Sequence, residues 1–150
     1  MDKRRYCVYN PTSECFLSLG ITRADRGFAR LKDRLRRIAP RYDEGHWLSH
    51  PKGVRLLRLF SQRDLVFLNA KHRVLQAIES FPPFRFVSMD KNVASALELP
   101  VHTIDSSRTR PGNQLVICAG EEMALRLRSL QDLEEDDFVE LSAFGTIFAH

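Results

Sequence analysis

At 150 residues, with 43% hydrophobic and 28% charged side chains, the chain has the size and balance of one globular domain with a real core. Seven glycines and seven prolines exclude a repetitive or wholly disordered polymer, and no run approaches the roughly 18 apolar residues that a membrane span needs. The net charge of +4 hides a gradient: residues 1–60 carry 14 Lys/Arg against 6 Asp/Glu, and residues 119–150 carry 2 against 8. A basic front joined to an acidic tail bears on partners and solubility rather than on fold.

Met1 to Arg5 is charged, and no apolar stretch of the secretory kind follows it. Arg5 to Tyr9 and Cys15 to Leu19 are short segments rich in strand-favouring side chains, and the cluster Asn10-Pro11-Thr12-Ser13 between them predicts a hairpin. Cys7, Cys15 and Cys118 form neither an even set nor a CxxC pair. They read as thiols of a reduced, cytoplasmic protein, with a Cys7–Cys15 disulfide across the hairpin as the alternative.

Thr22, three residues before Asp25, has the spacing of a helix N-cap. Phe28, Leu31, Leu35 and Ile38 then recur at helical spacing, and Pro40 closes the segment. From Gly45 to Val87 the pattern turns β-like. Val54 to Phe60 and Leu65 to Leu68 are compact apolar runs, Asn69 to His72 is a turn, and Arg73 to Glu79 returns as a strand. Pro82-Pro83 interrupts the chain before Phe84 to Val87. Ala94 to Leu99 is compatible with helix or strand, and Arg110-Pro111-Gly112-Asn113 is a turn leading into a strand over Gln114 to Cys118. Glu121 to Gln131 predicts a helix, Glu134 to Asp137 an acidic loop, and Phe138 to Phe148 an added edge strand.

The words Asp64-Leu65-Val66-Phe67-Leu68-Asn69 with Arg73-Val74-Leu75, then Glu98-Leu99-Pro100 and Arg110-Pro111-Gly112 before an apolar strand, resemble the domain of unknown function 192 family. The resemblance covers residues 8–118 and leaves 119–150 as an acidic C-terminal extension of a single domain, 1–150. It implies a compact β-barrel or sandwich with one main helix and no settled reaction. This sequence departs from the family pattern at several positions. Arg55 stands where the family has histidine, Leu59 where it has methionine, Asn113 where it has aspartate, and Phe84 where tryptophan is common. A ligand site in that region would therefore have lost or changed its polar chemistry.

The candidate chemistry is sparse. Asp64 heads an apolar strand and either works as an acid or base or accepts backbone N–H groups or pairs with Arg63 or Arg85. Glu98, between two leucines, faces solvent or pairs with a cation; with Arg55 and Asp64 it makes up the one conceivable pocket. His46 and His50 bracket Trp47 at a spacing of four but lack a third ligand, so no metal is assigned. No nucleophile elbow, dinucleotide loop or P-loop is present, and no cofactor is implied.

The most specific feature is the series Arg23, Arg26, Arg30, Arg34, Arg37 and Arg41, one stripe on the predicted helix. It is a solvated cationic face, a docking site for the acidic tail, or a surface for the phosphates of nucleic acid or lipid. The reading that follows is a mainly β fold with one packed amphipathic helix, acting as a small soluble binding module of unassigned ligand. A polyanion binder and an enzyme with a site near Asp64 are the alternatives.

Overall fold

The computed structural model describes residues 4–24, 45–49, 56–58, 61–88 and 90–147. Strands β1 (Arg5–Asn10) and β2 (Cys15–Ala24) form the expected hairpin. They are followed by β3 (His46–Ser49), β4 (Leu56–Arg58), β5 (Arg63–Leu68), β6 (Val74–Phe81), β7 (Phe86–Ser88) and β8 (Ser95–Leu99). A short helix α1 (Thr103–Ser107), strand β9 (Val116–Ala119) and a long helix α2 (Gly120–Ile147) complete the fold. Seven strands make one sheet in the order β6-β5-β8-β3-β2-β1-β9, and β4 and β7 pair separately. Every pairing in the large sheet is antiparallel except β2 with β3, so the sheet is mixed.

The sheet curls until its two edges meet at one end. Arg73, just before β6, bridges to Gln114, just before β9. The Val74 N–H donates to the Asn113 carbonyl at 2.9 Å, and the Leu115 N–H to the His72 carbonyl at 3.0 Å. The ladder goes no further among the described residues, so the fold is β-rich α+β as expected, and of the barrel or sandwich anticipated the barrel is not closed. Inside the curl, Val8, Leu17, Ile21, Trp47, Val66, Leu68, Leu97, Leu99 and Leu115 form one apolar cluster, closed by Ile104 of α1. Period-two alternation turns the intervening residues outward. There Leu48, Leu65, Phe67 and Ala96 pack with Phe81, Val93 and Val87, while Cys7 and Cys118 pack under Met123 of α2. Both faces of the sheet are thus covered in part, which accounts for the unbroken apolar run of β5.

Gly45 is required by close approach. A Cβ there would lie 2.7 Å from Ile21 Cγ2 and 3.1 Å from the Glu98 carbonyl oxygen.

Two expectations are corrected. Thr22 and Arg23 lie in β2, opposite His46 and Trp47, because pairing with β3 outweighs the N-cap spacing; the rest of the predicted helix lies outside the described residues. The acidic segment and Phe138 onward continue α2 to Ile147 rather than forming a loop and an edge strand. The cysteines are free thiols, in line with the leading expectation; the alternative Cys7–Cys15 disulfide is not formed, since the hairpin register sets Cys15 opposite Asn10 and Cys7 meets Cys118. Ala94 to Leu99 resolves as strand β8, and α1 is an element that the sequence pattern did not announce.

Candidate functional site

Asp64 and Glu98 stand on adjacent strands, but their register (Asp64 opposite Leu99, Leu65 opposite Glu98) puts them on opposite faces of the sheet. Asp64, fully buried, faces inward. A bulge in the β5–β6 ladder leaves the Ser80 N–H out of register, and Asp64 Oδ1 accepts it at 2.8 Å. Its Oδ2 accepts the Ile104 N–H at 2.9 Å, one of the donors at the start of α1 that lack a partner within the helix. The carboxylate therefore joins a strand irregularity to a helix start, two backbone sites 16 and 40 residues away in sequence.

Glu98 faces outward and is buried against Arg63, with Oε1 3.7 Å from the guanidinium Nε. His46 is its direct cross-strand neighbour on β3 and shares that face. Arg63, Glu98 and His46 thus form a polar row across three central strands, next to the apolar cluster beneath β7. A buried ion pair of this kind contributes little net stability, because desolvation of both ions opposes their attraction.

A second constellation lies where β2, β3 and the β5–β6 turn converge. Arg23 places its guanidinium carbon 5.0 Å from the centroid of the Trp47 ring, and its Nε donates to Ser49 Oγ at 3.4 Å. His72 meets the same ring edge-on at 5.3 Å, and Tyr6 meets it at 5.5 Å. His72 sits in the left-handed region at φ 62°, held by an N–H bond to the Asn69 carbonyl. Burial, and then the charge of Arg23, lower its pKa and favour the neutral ring. Lys71 and Arg73 flank His72 in the chain, and Arg23 is the cation set over the buried ring. The Trp47 Nε1–H is buried without an acceptor among the described residues.

A buried polar network ties the two turns near the meeting edges. Asn10 Nδ2 donates to Asn113 Oδ1 at 3.1 Å and to Thr109 Oγ1 at 3.4 Å, and Asn113 Oδ1 also accepts the Arg110 N–H. The Asn113 oxygen acts only as an acceptor, a role that an aspartate would fill equally. That position therefore retains its structural purpose whichever residue is present.

Of the predicted site residues, the structure brings Glu98 to Arg63 and His46 and separates both from Asp64. Arg23 is placed on a strand end against Trp47. Arg26, Arg30, Arg34, Arg37, Arg41, Arg55 and His50 lie outside the described residues. Among the described residues no three His, Cys, Asp or Glu side chains are grouped to hold a metal ion. No described helix is long and apolar enough to cross a membrane. The Arg63–Glu98 pair and the contact of His72 with Trp47 were missed, since both depend on strand order. The aromatic and basic composition of residues 45–50 and 71–73 was the only signal.

No family model and no curated protein matches the chain. Two solved structures share its fold. One, described as a proposed transcription regulator from Sinorhizobium meliloti, superposes with a TM-score of 0.60 at 17% identity, over 75% of this chain and 92% of that one. The other, a protein of unknown function from Novosphingobium aromaticivorans, gives 0.55 at 13% identity, over 75% and 83%. At such identities the likeness concerns the fold alone.

Proposed function

We propose that the chain is a small, non-catalytic binding module of the cytoplasm, akin to the domain of unknown function 192 family and diverged from it, with an added C-terminal helix. The disposition of the buried carboxylates carries this reading. General acid–base partners work at hydrogen-bond reach or through one water. Asp64 instead gives both oxygens to backbone donors on one face, and Glu98 pairs with Arg63 on the other. The alternative of an enzyme centred on Asp64 therefore lacks a second group within reach among the described residues. Binding is best supported at the corner of Arg23, Trp47 and His72, where a cation, an aromatic ring and a neutral imidazole converge.

A second reading, binding of a polyanion such as nucleic acid, is favoured by the same corner. Arg23 opens the arginine series on the chain, and the β5–β6 turn that carries His72 also carries Lys71 and leads into Arg73. The proposed regulatory role of the Sinorhizobium meliloti protein is compatible with that reading and adds nothing more.

Titration with heparin and with a single-stranded oligonucleotide over a range of salt tests both readings. Polyanion binding predicts a log–log salt slope of about −2 to −3 for three or four phosphate contacts. It also predicts that Arg23→Glu with Lys71→Glu weakens binding and shallows the slope. Absence of salt-dependent binding would remove the second reading. Loss of a metabolite-induced thermal shift in the Arg23 variant would support the first, and an unchanged shift would move the site elsewhere.

A further inference from the structure

The layer beneath the start of α2 is built on two thiols. Strands β1 and β9 pair without a register shift over four positions, from Tyr6 with Ala119 to Tyr9 with Val116, and this sets Cys7 directly opposite Cys118. Directly opposed residues of an antiparallel pair share a face, with Cα atoms about 4.5 or 5.5 Å apart. A disulfide bridges Cα separations of about 4.4–6.8 Å. Cys7 and Cys118 are free thiols and pack in one buried cluster with Met123. Cys15, by contrast, is opposite Asn10 in the hairpin.

The β1–β2 ladder shifts register around Cys7, and the thiol there donates to the Leu19 carbonyl at 3.4 Å; the Leu19 side chain itself is 73% exposed, so the pair lies under a thin cover. Gly120, the first residue of α2, lies beside it: a Cβ there would come 3.9 Å from Cys7 Sγ. Tyr6 and Val8, the neighbours of Cys7 on β1, belong to the inner cluster with Trp47, so the thiols lie across the sheet from that ring. Burial pushes both thiols up from their ordinary range, and the Glu122 charge pushes Cys118 further. Each alone is therefore a slow nucleophile. As a pair they differ from a lone buried cysteine, because a sulfenic acid formed on either sulfur condenses with the thiol opposite.

We propose that Cys7 and Cys118 are a reversible modification site, closed to a cross-strand disulfide by a hydroperoxide and reopened by a dithiol. With hydrogen peroxide, the O–O bond and two S–H bonds break, and one S–S bond and two O–H bonds form. The two sulfurs together give up two electrons, and both peroxide oxygens leave as water. A dithiol reverses the step, its own S–S bond forming as the two protein S–H bonds are restored. The bond fixes β9, and with it the root of α2, to a β1 residue 111 positions away in sequence. Only the fold selects this pair. In the unfolded chain, loop closure favours Cys7–Cys15, 8 residues apart, over Cys7–Cys118 by about fiftyfold, the 3/2 power of the length ratio.

Disulfide mapping of the full chain after treatment with hydrogen peroxide, once folded and once in urea, tests the proposal. The folded chain should carry the Cys7–Cys118 linkage at least about tenfold in excess of Cys7–Cys15, and in urea that order should reverse. Oxidation of the folded Cys15→Ser chain should raise Tm by at least about 5 °C, because closing so long a loop constrains the unfolded state, and dithiothreitol should return it. Cys118→Ala should abolish both the linkage and the rise. Recovery of Cys7 and Cys118 from the treated folded chain as separate thiols or sulfinic acids overturns the proposal. So does a Cys7–Cys15 linkage that prevails in both states, a linkage that leaves Tm unchanged or lower, or a rise that survives Cys118→Ala.

Discussion

Replacing Asp64 by alanine removes a carboxylate that accepts two backbone N–H groups, at 2.8 Å from Ser80 and 2.9 Å from Ile104. Each hydrogen bond to a charged acceptor is worth about 1.5–3 kcal/mol, and a buried donor left without one incurs its full desolvation cost. Two such bonds give an expected loss of about 3–6 kcal/mol, a large part of the roughly 5–15 kcal/mol by which a domain is stable. Asp64→Asn keeps one acceptor oxygen and turns an NH2 towards a donor, so its loss should be about half as large. For a chain of this size, 3 kcal/mol corresponds to about 6–12 °C in Tm. Urea unfolding followed by Trp47 fluorescence, the only tryptophan signal in the sequence, reads the difference directly. If Asp64→Ala costs less than about 1 kcal/mol, the carboxylate is not a structural clasp. The acid–base reading of this residue would then regain its footing.

Gly45→Ala should lose about 1–3 kcal/mol, because the added methyl meets Ile21 Cγ2 at 2.7 Å and Leu99 Cδ2 at 3.0 Å inside the curl; thermal unfolding checks it. Burial and Arg23 hold the His72 pKa below its ordinary value. The unfolded chain therefore takes up that proton first as pH falls, and stability should decline from about pH 6.5 downward. Arg23→Gln should shallow this decline and His72→Asn, which tolerates the left-handed backbone, should abolish its share; urea midpoints across pH measure both. Burial raises the pKa of Cys7, and burial followed by the Glu122 charge raises that of Cys118. Native alkylation followed by mass spectrometry should therefore find Cys15 modified well before the other two, whereas equal rates would contradict the packing beneath Met123.

The hairpin at Asn10 to Ser13, the turn at Asn69 to His72 and the strands around them were legible because local chemistry decides them. Turn residues and alternation fix such pairings over a few positions. Strand order was not legible. Nothing local states that β8 inserts between β5 and β3, and only that order puts Glu98 beside Arg63 and His46 and sets Asp64 on the far face.

The N-cap spacing of Thr22 with Asp25 gave a signal that long-range pairing overrode, since Thr22 bonds to the Gly45 carbonyl and continues β2. At the other end, Phe138 onward looked like a strand needing a partner. The helix-forming residues before it carry the helix through to Ile147. The backbone partners of Asp64 were anticipated in kind, but no pattern pointed to Ile104, because α1 has five residues and no apolar repeat.

The binding reading is tested most directly at Trp47, whose ring lies under Arg23 and against His72. Its fluorescence, recorded while a heparin oligosaccharide is titrated in at low salt, should shift in a saturable way, revert on adding salt, and fail to shift in the Arg23→Glu chain. Polyanion binding that leaves the Trp47 signal untouched, or a shift that survives loss of Arg23, would contradict the placement of the site at this corner.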